Sequence, residues 1–198
     1  MRPALARSLV AAVTLAPTAA LAHPALGDAS GFVHGFAHPL GGLDHLLAMV
    51  TVGIFAWQLG GRALWVVPAA FVSVMAVGGA LGMAGVPLPG VELGIAISVI
   101  ALGAIVALGV KAPVAIAAAI VGVFAVFHGH AHGTELPLAV SGATYAAGFL
   151  LATALLHLTG IGLGLVIGRF GDAYGRAAYR YAGAAVALAG VGILAHAF

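Results

Sequence analysis

Six apolar runs, each near the length of a bilayer crossing, dominate this chain of 198 residues. They lie at roughly 42–60, 63–84, 91–109, 112–129, 138–168 and 177–197. A helix needs about 20 apolar residues to cross a hydrocarbon layer of about 30 Å. Only helices and closed barrels satisfy their own backbone groups in that layer. With 63% hydrophobic and 6% charged residues, the chain could not cover the surface of a soluble domain, where about a quarter of residues are charged. The expected fold is therefore an all-α integral membrane protein with six transmembrane helices. The breaks between runs carry turn residues or charge: Gly60-Gly61-Arg62, the stretch from Gly85 to Gly90 with Pro87 and Pro89, Lys111-Ala112-Pro113, and Gly171 to Arg176. Before the first run, Ser30 to Ala37 reads as a short interfacial helix, with His38-Pro39 and Gly41-Gly42 turning the chain into the membrane.

The first 22 residues read as a cleaved secretion signal. Arg2 and Arg7 give a positive start, Leu9 to Ala16 an apolar stretch too short to span, and Ala20-Leu21-Ala22 a small-residue cleavage site. Residues 23–198 then form the six-helix transmembrane domain, with His23 at its start. Secretion of that end and six crossings put both termini outside. On this map Arg62, Lys111, Arg169, Arg176 and Arg180 all fall at the inner face, as the positive-inside rule requires. Asp28, Asp44, Glu92 and Glu135 fall at the outer face, and Asp172 inside. The expected location is a bacterial inner membrane. A formal charge of +2 without a basic cluster argues against a nucleic-acid partner. Glycines recur every fourth residue at Gly160, Gly164 and Gly168, and again at Gly78 and Gly82. Such rows let helices approach closely, within one bundle or across a homodimer.

The chemistry lies in two clusters. The run Phe127 to Glu135 contains His128, His130, His132 and Glu135 in nine residues, and the run His38 to His45 adds two imidazoles and Asp44. With no cysteine, any metal must be held by imidazole, oxygen or thioether, and imidazole with carboxylate suits first-row divalent ions. On one helix His128, His132 and Glu135 share a face and His130 points the other way. If the next helix begins at Pro39, His38 and His45 lie about two turns apart on one face, with Asp44 either a ligand from a neighbouring face or an orienting partner. Gly129 and Gly133 would let the helix starting at Asp44 come close. Met49, one turn below His45, reads as core. His157 falls deep in the fifth run, either as a transit position for an ion or as a structural histidine bonded to a neighbouring helix. His23 and His34 are candidates for capture at the outer mouth.

Two separate motifs now carry a likeness. H-x5-D-H at His38–His45 and F-H-G-x-A-x-G-x-E at Phe127–Glu135 resemble those of the HupE/UreJ family of nickel and cobalt permeases. The resemblance extends to the signal peptide, the histidine-bearing start and the six spans. It implies uptake of Ni²⁺ or Co²⁺ as transported substrate, with no organic cofactor and no enzymatic activity, serving hydrogenase or urease maturation. It also implies that His38, Asp44, His45, His128 and Glu135 are the positions needed for transport, while His130 and His132 fall at variable positions. There is no G-x-x-x-x-G-K-[ST] stretch, so the chain carries no P-loop of its own and uptake would be secondary. A metal sensor or buffer is one alternative. A di-metal membrane oxygenase is another, since His128-x3-His132 resembles one histidine box, but no H-x-x-H-H box accompanies it. Residue types alone do not separate Ni²⁺, Co²⁺ and Zn²⁺, because geometry rather than affinity order decides selectivity.

Overall fold

The structure is a computed structural model that describes residues 27–136 and 140–197. The expected signal peptide and His23 lie outside the described residues. Among the described residues the chain forms seven helices: α1 (Gly27–Gly41), α2 (Leu43–Leu59), α3 (Ala63–Met83), α4 (Val91–Leu108), α5 (Val114–Thr134), α6 (Gly142–Gly168) and α7 (Gly171–Ala197). Five of them are long and apolar enough to cross a membrane. The sixth candidate is the pair α1 and α2, bent by 83° at their junction, if the pair is taken as one broken span. The sequence-derived spans thus correspond to helices. α7 starts earlier than expected, at Gly171, and α5 runs on to Thr134, taking the histidine run up to His132 into helix.

Turn chemistry fixes most of the breaks. Gly60 and Gly61 both have positive φ, 70° and 52°, a conformation that costs a side chain energy and glycine little. Pro113 precedes α5, where its fixed φ and missing N–H do no harm. The break between α1 and α2 differs from expectation. Pro39 does not open the second helix. It lies inside the last turn of α1 and is buried. The chain turns at Gly42 instead, with φ −98° and ψ 120°. A β-carbon there would stand 2.7 Å from the Asp44 carboxylate and 3.2 Å from His45 Nδ1. A side chain at residue 42 would therefore crowd the Asp44 and His45 side chains. The helix expected over Ser30 to Ala37 is present within the 15-residue α1, which docks along the start of α6, with Gly35 against the Tyr145 carbonyl and Gly148 against the Phe32 carbonyl.

Hydrophobic burial alone does not order helices that are apolar on most faces. Glycine seams do so here. Gly78 and Gly82 of α3 meet the Val126 and His130 carbonyls of α5, and Gly129 and Gly133 of α5 meet the Met75 and Gly79 carbonyls in return. Gly53 of α2 meets the His157 carbonyl of α6, while Gly160 meets the Val50 carbonyl. Gly103 and Gly183 interlock α4 with α7. The glycine rows read from the sequence thus serve packing inside one bundle. One expectation is corrected: Gly129 and Gly133 admit α3, not α2. The helix starting near Asp44 instead fills the bundle interior, buried from Ala48 to Ala56 except for Val50. Met49, Phe55, Phe71, Met75 and Leu102 complete that core.

Successive crossings alternate in direction, so the start of α2, the end of α3, the start of α4, the end of α5 and the start of α6 share one end of the bundle. Arg62, Lys111 and Arg169 lie at the other end, where Lys111 Nζ donates to the Gln58 carbonyl at 2.5 Å and ties the end of α2 to the loop before α5.

Candidate metal pathway

α5 is helical through Thr134, so His128 and His132, one turn apart, project from one face. His130 projects from another, where its Nε2 bonds the Val86 carbonyl at 2.7 Å and anchors the α3–α4 loop. Glu135 caps the helix end. Its Oε2 lies 3.8 Å from His132 Nδ1 and 3.3 Å from Nε2 of His38, which comes from the last turn of α1. The ligand atoms of His38, His132 and Glu135 all lie within 4.8 Å of one another.

Behind this trio the rings continue inward. The His38 and His132 centroids are 4.6 Å apart, His132 and His45 4.2 Å, and His45 and His128 4.6 Å. Exposure falls along the same line, from 55% for the Glu135 side chain and 36% for His38 to 6% for His132 and zero for His128. The bend at Gly42 makes the column. It places His38 and His45 on different helices, on either side of His132, rather than two turns apart on one face. Phe71 of α3 then lies between His128, at 5.8 Å, and His157 of α6, at 5.1 Å. His157 is 1% exposed. Neither of its ring nitrogens has a hydrogen-bond partner, so the expected alternative of a bond to a neighbouring helix is not what is seen. Phe149 packs on His132 at 4.1 Å, and Tyr145 lies 5.9 Å from His38. A cavity of about 60 Å³ beside His132 is lined by Met75, Gly79, Gly129, Tyr145 and Phe149 among others.

The anchors of the rings differ. Asp44 Oδ1 accepts from the His45 backbone N–H at 2.7 Å and lies 2.8 Å from His45 Nδ1. A carboxylate at that distance needs a hydrogen on Nδ1, so a neutral His45 keeps its lone pair on Nε2. Asp44 thus takes the orienting arrangement. Ser98 of α4 lies 2.8 Å from His128 Nε2. Buried polar atoms almost always find partners. Yet His45 Nε2, His128 Nδ1 and both nitrogens of His132 have none. They form a buried file of nitrogen donors, the atoms an imidazole-bound metal uses.

Of the other sequence-derived candidates, His34 is exposed on α1 and outside the file, and His196 bonds the Gly192 carbonyl from the last turn of α7. The sequence reading missed Ser98 and Phe71. Ser98 left a signal, being the only polar residue of α4 besides Glu92. Phe71 left none, since one aromatic in an apolar helix looks like any other core residue.

A helical, multi-pass membrane protein with a file of histidines entering its bundle from one end is the class that this fold and cluster define. The chain matches a family model described as HupE / UreJ protein over residues 11–193. It is 53% identical over 178 residues to Protein HupE of Rhizobium leguminosarum bv. viciae, covering 90% of this chain and 91% of that protein. The chain belongs to the HupE/UreJ family of membrane transporters, which is associated with nickel and cobalt uptake for hydrogenase or urease. No solved structure matches the chain.

Proposed function

We propose that this chain takes up Ni²⁺ or Co²⁺ by a secondary mechanism, with the ion entering at His38, His132 and Glu135 and moving inward along His45 and His128 toward His157. One observation carries the reading: the rings of His38, His132, His45 and His128 follow one another at 4.2–4.6 Å from a partly exposed mouth to the buried interior, and the inner three carry ring nitrogens without hydrogen-bond partners. Glu135 and Asp44 add negative charge at the mouth end, while Arg62, Lys111 and Arg169 sit at the opposite end. That field draws a divalent cation to the mouth. The positive-inside rule orients the cationic end to the cytoplasm and the mouth to the periplasm. His23 and His34 would serve capture ahead of the mouth. His130, held by the Val86 carbonyl, serves the loop instead.

An inside-negative potential supplies about 2.3 kcal/mol per charge per 100 mV, or about 4.6 kcal/mol for a divalent ion. No ATPase of its own is needed for accumulation. Sealed proteoliposomes holding the full chain, energised by a potassium diffusion potential, test the reading with Ni²⁺ or Co²⁺ alone. The expected result is potential-driven accumulation that is lost in His45→Ala and His128→Ala. Metal binding without uptake would mean a sensor or buffer and would overturn the transport reading.

A further inference from the structure

At the end of the bundle opposite the histidine file, a cavity of about 500 Å³ opens between the ends of α2 and α4 and the start of α7. It is lined by Gln58, the last turn of α4, and Arg176, Tyr179, Arg180 and Tyr181 of α7. Its walls are helix ends pinned to one another. Gln58 Nε2 donates to the Val106 carbonyl at 3.1 Å, Gly103 and Gly183 interlock α4 with α7, and the Tyr179 hydroxyl donates to the Gly164 carbonyl of α6. Arg176 and Arg180 lie one turn apart on α7 and share a face. No carboxylate lines the cavity. Among the described residues neither guanidinium has an ion-pair or hydrogen-bond partner. Carbonyls at the ends of α4 and α2 have other donors: Ile105 from Val110, Val106 from Gly109 and Gln58, and Gln58 from Lys111. Two like charges one turn apart repel each other, and an anion between them would relieve that cost.

The surroundings indicate which anion. Tyr181, Ala184, Leu188 and Val191 form one exposed stripe along α7, at spacings of three, four and three residues. Tyr181 also lines the cavity, so the stripe begins at its wall. Tyr174 and Tyr181 are 79% and 76% exposed, and tyrosine concentrates where hydrocarbon meets headgroups. The cavity therefore lies at headgroup depth, with an apolar track leading from it toward the hydrocarbon. We propose that it binds an anionic phospholipid, with the Arg176 and Arg180 guanidiniums on the phosphate and the acyl chains along Leu188 and Val191. The planar guanidinium fork matches phosphate oxygens, and basic pockets between membrane helices suit such headgroups. A zwitterionic headgroup also carries a cation, which the two arginines repel. The bound lipid bridges α7 to the ends of α2 and α4, so it stabilises the bundle. The site is separate from the ion file and does not rest on the uptake reading.

The full chain, stripped of lipid in a neutral detergent, tests this with dioleoyl phosphatidylglycerol against dioleoyl phosphatidylcholine. Native mass spectrometry reads retained lipid, and thermal melting reads stabilisation. Phosphatidylglycerol should be retained and should raise the melting midpoint, while phosphatidylcholine should do neither. Each arginine near a membrane surface contributes about 5-fold, so Arg176→Gln and Arg180→Gln should each bind about 5-fold more weakly, and the double variant about 30-fold. The single variants keep the test open if the double variant does not fold. The double variant Arg62→Gln/Arg169→Gln removes the same charge from the same end without touching the cavity, and should bind as the wild type does. Equal retention of the two lipids, or equal losses in the two double variants, would overturn the proposal. Displacement of the phospholipid by inorganic phosphate at the lipid's own concentration would also overturn it, by showing a site for soluble anions.

Discussion

Gly129→Ala tests whether the seam between α3 and α5 sets the geometry of the histidine file. Gly129 lies between His128 and His132 in sequence, on the side of α5 that presses on α3. A β-carbon there would land on the Met75 carbonyl oxygen and within 2.8 Å of the Gly79 nitrogen. Both neighbours are backbone, so neither yields as a flexible side chain would. A β-carbon essentially never comes within 3.0 Å of such an atom, so the helices must separate locally by roughly 1 Å. Overpacking of this kind costs about 1–3 kcal/mol, and backbone collision places Gly129→Ala at the upper end. The better helix propensity of alanine returns up to about 1 kcal/mol, which leaves a net loss near 2 kcal/mol. Gly162→Ala is the matched control. It lies on α6 with nothing within 4 Å of its added carbon, so only the favourable propensity term remains. The two variants should therefore differ by about 3 kcal/mol in unfolding of the detergent-solubilised protein. A movement of roughly 1 Å would also stretch the 2.8 Å contact between His128 and Ser98 beyond hydrogen-bond range, so Ni²⁺ uptake by Gly129→Ala should fall while Gly162→Ala keeps it. If the two variants melt together and transport alike, the seam does not hold the file in place.

Three further outcomes follow from the same geometry. His132→Ala should abolish uptake of trace Ni²⁺, since His132 belongs to the mouth and contacts His45; His130→Ala should retain uptake but expose the loop around Val86 to faster proteolysis, and the reverse pattern would show that the faces of α5 are assigned wrongly. Asp44→Asn replaces a charge-assisted bond to His45 by a neutral one of roughly half the strength, so Ni²⁺ affinity read by calorimetry should drop about 10-fold, and an unchanged affinity would count against an orienting role. Uptake should slow when the outside is acidified, because protons compete with the metal for the imidazole lone pair and His38 at the mouth is partly exposed; initial rates in proteoliposomes at fixed potential would show it, and a rate that rises with acid would contradict imidazole ligation.

Much of this protein is legible in its residues. Apolar length alone gives the crossings, and the spacing of His128, His130 and His132 alone separates two rings from the third, because hydropathy and helical period are local properties that neighbouring helices do not alter. The segregation of Arg62, Lys111 and Arg169 from Glu135 follows in the same way from counting crossings. The family motifs, too, lie in plain view in the sequence.

The assembly of the site does not follow from local pattern. His38 and His45 look like two positions on one helix, and only the 83° bend at Gly42 sends them to opposite sides of His132. Gly129 and Gly133 announce a close neighbour without naming it, and α3 rather than α2 takes the place. Ser98 lies 30 residues from His128, on a helix with no other buried polar residue. The reason is common to all three. In hydrocarbon, one apolar helix face attracts another no more than lipid does, so the pairing of helices rests on where glycines let backbones touch and on where a few buried hydrogen bonds can close. Those conditions exist only between segments already brought together. The sequence determined the helices and the candidate ligands, and the tertiary structure decided which of them meet.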